Sequence, residues 1–173
     1  MWADAASASM DEEAKRAVLA VLVENAREDV DDIARQTGLA PAAVEDVVAE
    51  LEAEGVVRGY QAIVDWGRTD ADHVTAEVEL NVELDRETGY EEIARRIGKY
   101  PEVAGLRLVS GDYDFAATVE GDSMNDVSRF VAEKIATIPE VTQTVTHFVM
   151  DTYKERGLEF DGGDEDDRLS ISP

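Results

Sequence analysis

The chain has 173 residues, of which 40 are Asp or Glu and 16 are Lys or Arg, giving a formal net charge of −24. That length fits one ordinary domain or two small ones. No run of about 18 apolar residues occurs, which argues against a membrane-spanning helix; the start is too weakly apolar for a signal peptide; and the absence of cysteine excludes disulfides and thiolate metal sites.

A cytoplasmic protein is therefore expected. The acid is spread along the whole chain, and lysine occurs only at Lys15, Lys99, Lys134 and Lys154. Two readings compete: a protein that repels nucleic acid, or a halophile's protein whose acidic surface stays hydrated in concentrated salt. The even spread favours the halophile. Molar salt shortens the Debye length to about 3 Å, so net charge then says little about partners.

Residues 1–10 are small and irregular and are expected to be a disordered N-terminus. From Asp11 the pattern turns helical, with Ala14, Val18, Val21 and Leu22 on one stripe. Asp29 is a good N-cap for a second helix, which buries Val30, Ile33 and Ala34 and stops at Gly38. Pro41 fits the first turn of a third helix, in which Val44, Val47, Val48 and Leu51 share a face and Gly55 follows the end. Three short helices with a glycine turn between the last two match the helix-turn-helix pattern, the third being the recognition helix. A three-helix packing unit without DNA contact fits the same pattern. Residues 11–55 form this first domain.

A strand is expected over Val56–Trp66, and Gly67–Asp70 is a polar break, so residues 56–70 read as a linker strand and hinge. Val74, Ala76, Val78, Leu80, Val82 and Leu84 then alternate with polar residues, as in a strand with one wet face. A helix presents Tyr90, Ile93, Ala94 and Ile97. A hairpin follows, its strands burying Ala104, Leu106 and Leu108, then Phe115, Ala117 and Val119. Another helix from about Asp122 buries Met124, Val127, Val131 and Ile135, and a last strand runs from Val141 to Met150. The segment Ile97–Val103 recurs as Ile135–Val141: a helix ends at Ile-x-x-x-Pro and a strand begins at Val. Two strand-helix-strand halves make the ferredoxin-like βαββαβ unit over residues 71–153. Helices cover one sheet face only, so the other meets water or a second copy. Residues 154–173 read as an acidic disordered tail; a metal-binding reading of its Asp161–Asp167 cluster is the weaker alternative.

The overall expectation is an α+β chain, an N-terminal three-helix helix-turn-helix domain followed by a ferredoxin-like sensing domain. This arrangement resembles the Lrp/AsnC, or feast/famine, transcriptional regulators. The residues that carry the resemblance are the Gly38-Leu39-Ala40-Pro41 turn, the Leu51 to Tyr60 exit with Gly55 and Gly59, the Gly111-x-Tyr113-Asp114 turn and the Pro139-x-Val141 strand. It implies a regulator that binds promoter double-stranded DNA, here in high salt. It implies dimers through the sensing domains, in some members octamers, and a small-molecule effector of the amino-acid kind near the Gly-x-Tyr-Asp turn. No cofactor, no metal and no membrane partner are expected.

The turn is chemically suited to such a ligand. Gly111 permits close backbone approach, Asp112 and Asp114 can accept from an ammonium group, and Tyr113 offers an aromatic wall and a hydroxyl. On residues alone a plain hairpin in which Asp caps its own turn is the favoured reading, and the resemblance tips it toward the ligand site. Thr144 and Thr146 on the last strand are further candidates for the pocket, or ordinary strand threonines.

The third helix departs from the family pattern. Members of the family usually present Arg or Lys there, whereas Pro41–Glu54 contains neither. Residues 1–55 hold 14 acidic and 4 basic residues, a net of −10. Such a face repels phosphates at ordinary salt. The candidates for DNA contact are Lys15, Arg16, Arg27, Arg35 and Arg58 for the backbone, with Pro41, Ala42, Glu45 and Asp46 at the start of the helix. An Lrp-like sensor or partner-binding module without DNA contact is the alternative. An enzyme is not expected: sirohaem decarboxylases resemble the same family but need histidines and arginines around a tetrapyrrole, and the only histidines are His73 and His147. No nucleophile-base set, phosphate loop or metal spacing is present.

Overall fold

The computed structural model describes residues 2–84 and 88–160, with side chains from residue 11 onward. The Asp161–Asp167 cluster lies outside the described residues. The chain divides into two compact units between Ala62 and Ile63, so the polar break at Gly67–Asp70 falls inside the second.

The first unit holds α1 (Trp2–Glu24), α2 (Val30–Thr37) and α3 (Pro41–Ala53). α1 starts at Trp2 and not at Asp11; Ala3, Ala5, Ala6 and Ala8 give that first stretch high helix propensity. Asp29 caps α2 by accepting the Asp32 N–H at 2.8 Å. Gly38 ends it at φ +74°, the left-handed conformation that favours glycine. Val18, Ile33, Ala34, Val44, Val47 and Leu51 are buried together and form the core of this unit.

The linker strand is not present. Val56 and Val57 both donate to the Leu51 carbonyl, folding the chain back on the end of α3, and the only regular element between α3 and the sheet is a 3₁₀ turn at Trp66–Arg68. β-branched residues favour a strand only where a neighbouring strand pairs with them, and among the described residues none pairs with 56–65.

The second unit is a four-stranded antiparallel sheet in the order β2-β3-β1-β4, built from β1 (Val74–Val82), β2 (Val103–Leu108), β3 (Phe115–Gly121) and β4 (Val141–Phe148). Its helices are α4 (Tyr90–Ile97) and α5 (Met124–Phe130), the latter running on as a π-helical turn at Val131–Ile135. This is the βαββαβ ferredoxin-like arrangement. The two halves repeat in backbone detail. Tyr100 N–H bonds Ile97 O and Val103 N–H bonds Tyr100 O; Ile138 N–H bonds Ile135 O and Val141 N–H bonds Ile138 O.

Ala76, Val78 and Leu80 of β1 and Phe115, Ala117 and Val119 of β3 bury one sheet face against Ile93, Ile97, Val127 and Ile135. Two expectations fail here. Ala104 is exposed, because the β2–β3 register shifts between Val103 and Gly105 and turns Val103 toward the core instead, and Leu108, opposite Phe115, is 55% exposed as the last residue of the edge strand β2. Met124 is 46% exposed at the start of α5, where Ser123 caps the helix. Beyond β4 the chain forms a small hairpin, β5 (Lys154–Glu155) and β6 (Leu158–Glu159), where no structure was expected. Arg156 and Gly157 both take positive φ in its two-residue turn.

Candidate functional site

In the first unit, the outer face of α3 is the surface of interest. Pro41, Ala42, Glu45 and Asp46 are all exposed. Lys15 is not free. From α1 its ammonium contacts Glu50 Oε1 at 2.9 Å and Glu54 Oε2 at 3.1 Å, and its side chain is 13% exposed. The Glu50 carboxylate above all, with Glu54 added, raises its pKa from the ordinary lysine value. It therefore neutralises one flank of α3 from within the fold. Arg35 pairs with Asp32 on its own helix. Arg16, Arg27 and Arg58 are exposed, and among the described residues no acidic side chain engages them. On the other flank of α3 the Tyr60 hydroxyl donates to Glu52 Oε1 at 2.9 Å. Neither the Lys15 clamp nor the Tyr60 contact is legible from spacing, since 39 residues separate Lys15 from Glu54.

In the second unit, the β2–β3 turn is built around Asp114. Its Oδ2 accepts the Val82 N–H at 2.8 Å and its Oδ1 accepts the Tyr90 hydroxyl at 2.9 Å. Its own N–H donates to Leu80 O and its carbonyl accepts the Val109 N–H. Asp114 thus ties the turn to the end of β1 and the start of α4. Tyr90 packs edge-on against Phe115, with ring centroids 5.8 Å apart. Gly111 sits at φ +147°, where an L side chain is strained. Asp112 is exposed and Tyr113 half-buried, and among the described residues neither side chain has a hydrogen-bond or ion-pair partner.

Thr144 and Thr146 pair with Leu80 and Val78, on the helix-facing side of β4. Thr144 shares a row with Phe115 across β1. Two strand spacings, about 10 Å, therefore separate it from the strand that leaves the turn. The two threonines and the turn are not in contact. His73 stacks on Trp66 with ring centroids 4.2 Å apart, and His147 Nε2 lies 3.3 Å from Glu79 Oε1 on the sheet face away from the helices. Among the described residues no group of three or more His, Asp or Glu could hold a metal, and no helix is long and apolar enough to cross a membrane.

Both units match known families. Residues 11–58 match the winged helix-turn-helix DNA-binding model, and residues 75–159 the Lrp/AsnC ligand binding domain. The chain is 39% identical over 157 residues to the Bacillus subtilis HTH-type transcriptional regulator YugG, covering 90% of this chain and 95% of that protein. The chain belongs to the Lrp/AsnC family of transcriptional regulators.

The leucine-responsive regulatory protein of Haemophilus influenzae is 27% identical, covering 72% of this chain and 74% of its own. The fold of this Lrp/AsnC regulator superposes on the Mycobacterium tuberculosis leucine response regulatory protein at a TM-score of 0.69, with 23% identity over 84% of this chain and 97% of that one. On a Neisseria meningitidis transcriptional regulator in complex with L-Met, the TM-score is 0.66, with 23% identity, 82% of this chain and 91% of that one. The regulator therefore joins a DNA-binding helix-turn-helix to a small-molecule-binding domain.

Proposed function

We propose that this regulator senses an amino acid at the Gly111–Asp114 turn and couples its occupancy to promoter binding by α3. The observation that carries this is the turn itself. Asp112 is a carboxylate with no partner among the described residues, next to a half-buried Tyr113 ring and a glycine that leaves the backbone open. An α-ammonium group needs such an acceptor, and a side chain needs such a wall. Asp114 holds the turn in shape. That relatives are named for leucine and one solved structure holds L-Met supports the ligand class.

The working form is a homo-oligomer in the cytoplasm of a salt-rich cell, with no catalytic role. The polar sheet face that carries Glu77, Glu79 and His147 is the surface for self-association. The net charge of −24 supports the salt-rich setting.

The test is a thermal-shift screen of the standard amino acids in molar KCl. A ligand at about 100 times its Kd stabilises the fold by about 2.7 kcal/mol, a plainly readable shift. Asp112→Ala removes that shift without altering the unliganded melt. If no amino acid moves the melt, the ligand class is wrong. Fluorescence anisotropy with the gene's own promoter, against a scrambled duplex, reads the DNA arm.

A further inference from the structure

On α3 the side chains at Ala42, Asp46, Ala49 and Ala53 follow i, i+4, i+7 and i+11 and share one exposed face, opposite the buried Val44, Val47 and Leu51. The flanking carboxylates Glu50 and Glu54 are held by Lys15, and Glu52 by Tyr60. Asp46 at the centre and Glu45 beside it have no partner among the described residues. The central face therefore consists of methyl groups and acceptor-only carboxylates, without a single side-chain hydrogen-bond donor. That DNA is the ligand comes from the helix-turn-helix assignment and not from this composition.

The major groove offers acceptors alone on guanine, a donor alone on cytosine, one of each on adenine, and an acceptor with a methyl group on thymine. A carboxylate facing guanine meets two like partial charges. Facing cytosine, it accepts the N4 amino hydrogen. Adenine is intermediate, because its N7 acceptor sits beside the amino group. Alanine methyls have one apolar partner in the groove, the thymine methyl.

We propose that α3 reads its half-site through cytosine amino and thymine methyl groups, with Asp46 as the base-reading residue, and that guanine is excluded opposite it. This rests on the DNA-binding reading and names the chemistry of its site. Sequence preference here comes from acceptors and methyls, whereas backbone positioning falls to exposed cations outside α3.

The test is selection of full-length protein on a randomised duplex library, repeated at KCl from about 0.1 to 3 M, a range over which the Debye length falls from about 10 Å to under 3 Å. The wild type is expected to enrich cytosine over guanine at one half-site position by about tenfold or more. Asp46→Asn is expected to move that preference to adenine, because an amide both donates to N7 and accepts from N6. Asp46→Ala is expected to flatten that position while the selected thymines stay. Guanine at the same position, or an unchanged preference in Asp46→Asn, overturns the proposal while leaving DNA binding intact. Failure to enrich any duplex at any salt overturns both.

Discussion

The Tyr90 hydroxyl donates to Asp114 Oδ1 while Asp114 Oδ2 takes the Val82 N–H, so one carboxylate fastens a turn, a strand end and a helix start. The two expected effector carboxylates, Asp112 and Asp114, therefore separate. Asp114→Ala strips both acceptors and leaves the Val82 N–H unpaired. It is expected to lower the stability of the second unit by about 1–3 kcal/mol, read by urea unfolding. Asp112→Ala breaks no bond to the described residues and is expected to leave that curve in place while weakening effector binding. Equal stability losses in the two variants would contradict this division of labour.

The same contact sets an alkaline limit. The hydrogen bond to Asp114, then burial, raises the Tyr90 pKa from its ordinary 10.0. The folded state keeps this proton longer than the unfolded chain. The stabilisation is complete below the unfolded pKa and is lost as pH rises through the folded one. Tyr90→Phe is expected to shallow the decline in stability above about pH 10.

At the acid end Glu140 plays the opposite part. Arg96 lies 2.6 Å from its Oε2, and that contact above all lowers the Glu140 pKa from its ordinary 4.5. The contribution is present above the unfolded pKa and is lost as pH falls through the lowered folded value. Glu140→Gln is expected to flatten stability across that acid range relative to the wild type. Unfolding curves taken from about pH 7 to about pH 3 check it.

Glu102 holds the place in the first half of the repeat that Glu140 holds in the second, each following a proline and preceding a strand. Lys134 stands where Arg96 stands, one residue before the isoleucine that ends each helix. Glu102 and Lys134 line one cavity of about 190 Å³, yet no ion pair joins them, and Glu102 Oε2 is buried without a hydrogen-bond partner among the described residues. Glu102→Gln is expected to stabilise the second unit by up to about 1 kcal/mol, since an amide is less costly to bury than a charge. A loss of stability would mean that the carboxylate has a partner in solution.

Lys15 predicts a salt effect of known direction. Lys15→Met leaves Glu50 and Glu54 side by side without their cation, so the first unit is expected to melt earlier at low salt. The deficit should shrink toward molar KCl as screening removes the repulsion. Over the same range the melt of the wild type is expected to rise, because the net charge of −24 opposes compaction at low salt. A wild-type melt that is flat in salt would remove the basis for the halophile reading.

Local signals sufficed wherever the physics is local. Asp29, Gly38, Pro41 and Gly55 mark helix ends because capping and left-handed turns involve residues a few positions apart. The alternation of β1 and the Ile97/Ile135 echo gave the ferredoxin-like order because side-chain period and duplication are written in the chain itself. The sequence by itself therefore determined the two-unit architecture and the family. Tertiary structure decided what depends on a partner distant in sequence. Val56–Trp66 has strand composition but no strand beside it. A bulge exposes Ala104, although its spacing in the hairpin reads as buried. Lys15 reads as a DNA-facing cation until α1 packs on α3 and brings it to two glutamates. Asp114 reads as a free turn carboxylate until Val82 and Tyr90 each donate to one of its oxygens. Periodicity fixes which face a residue occupies, but only packing fixes which polar group it meets there.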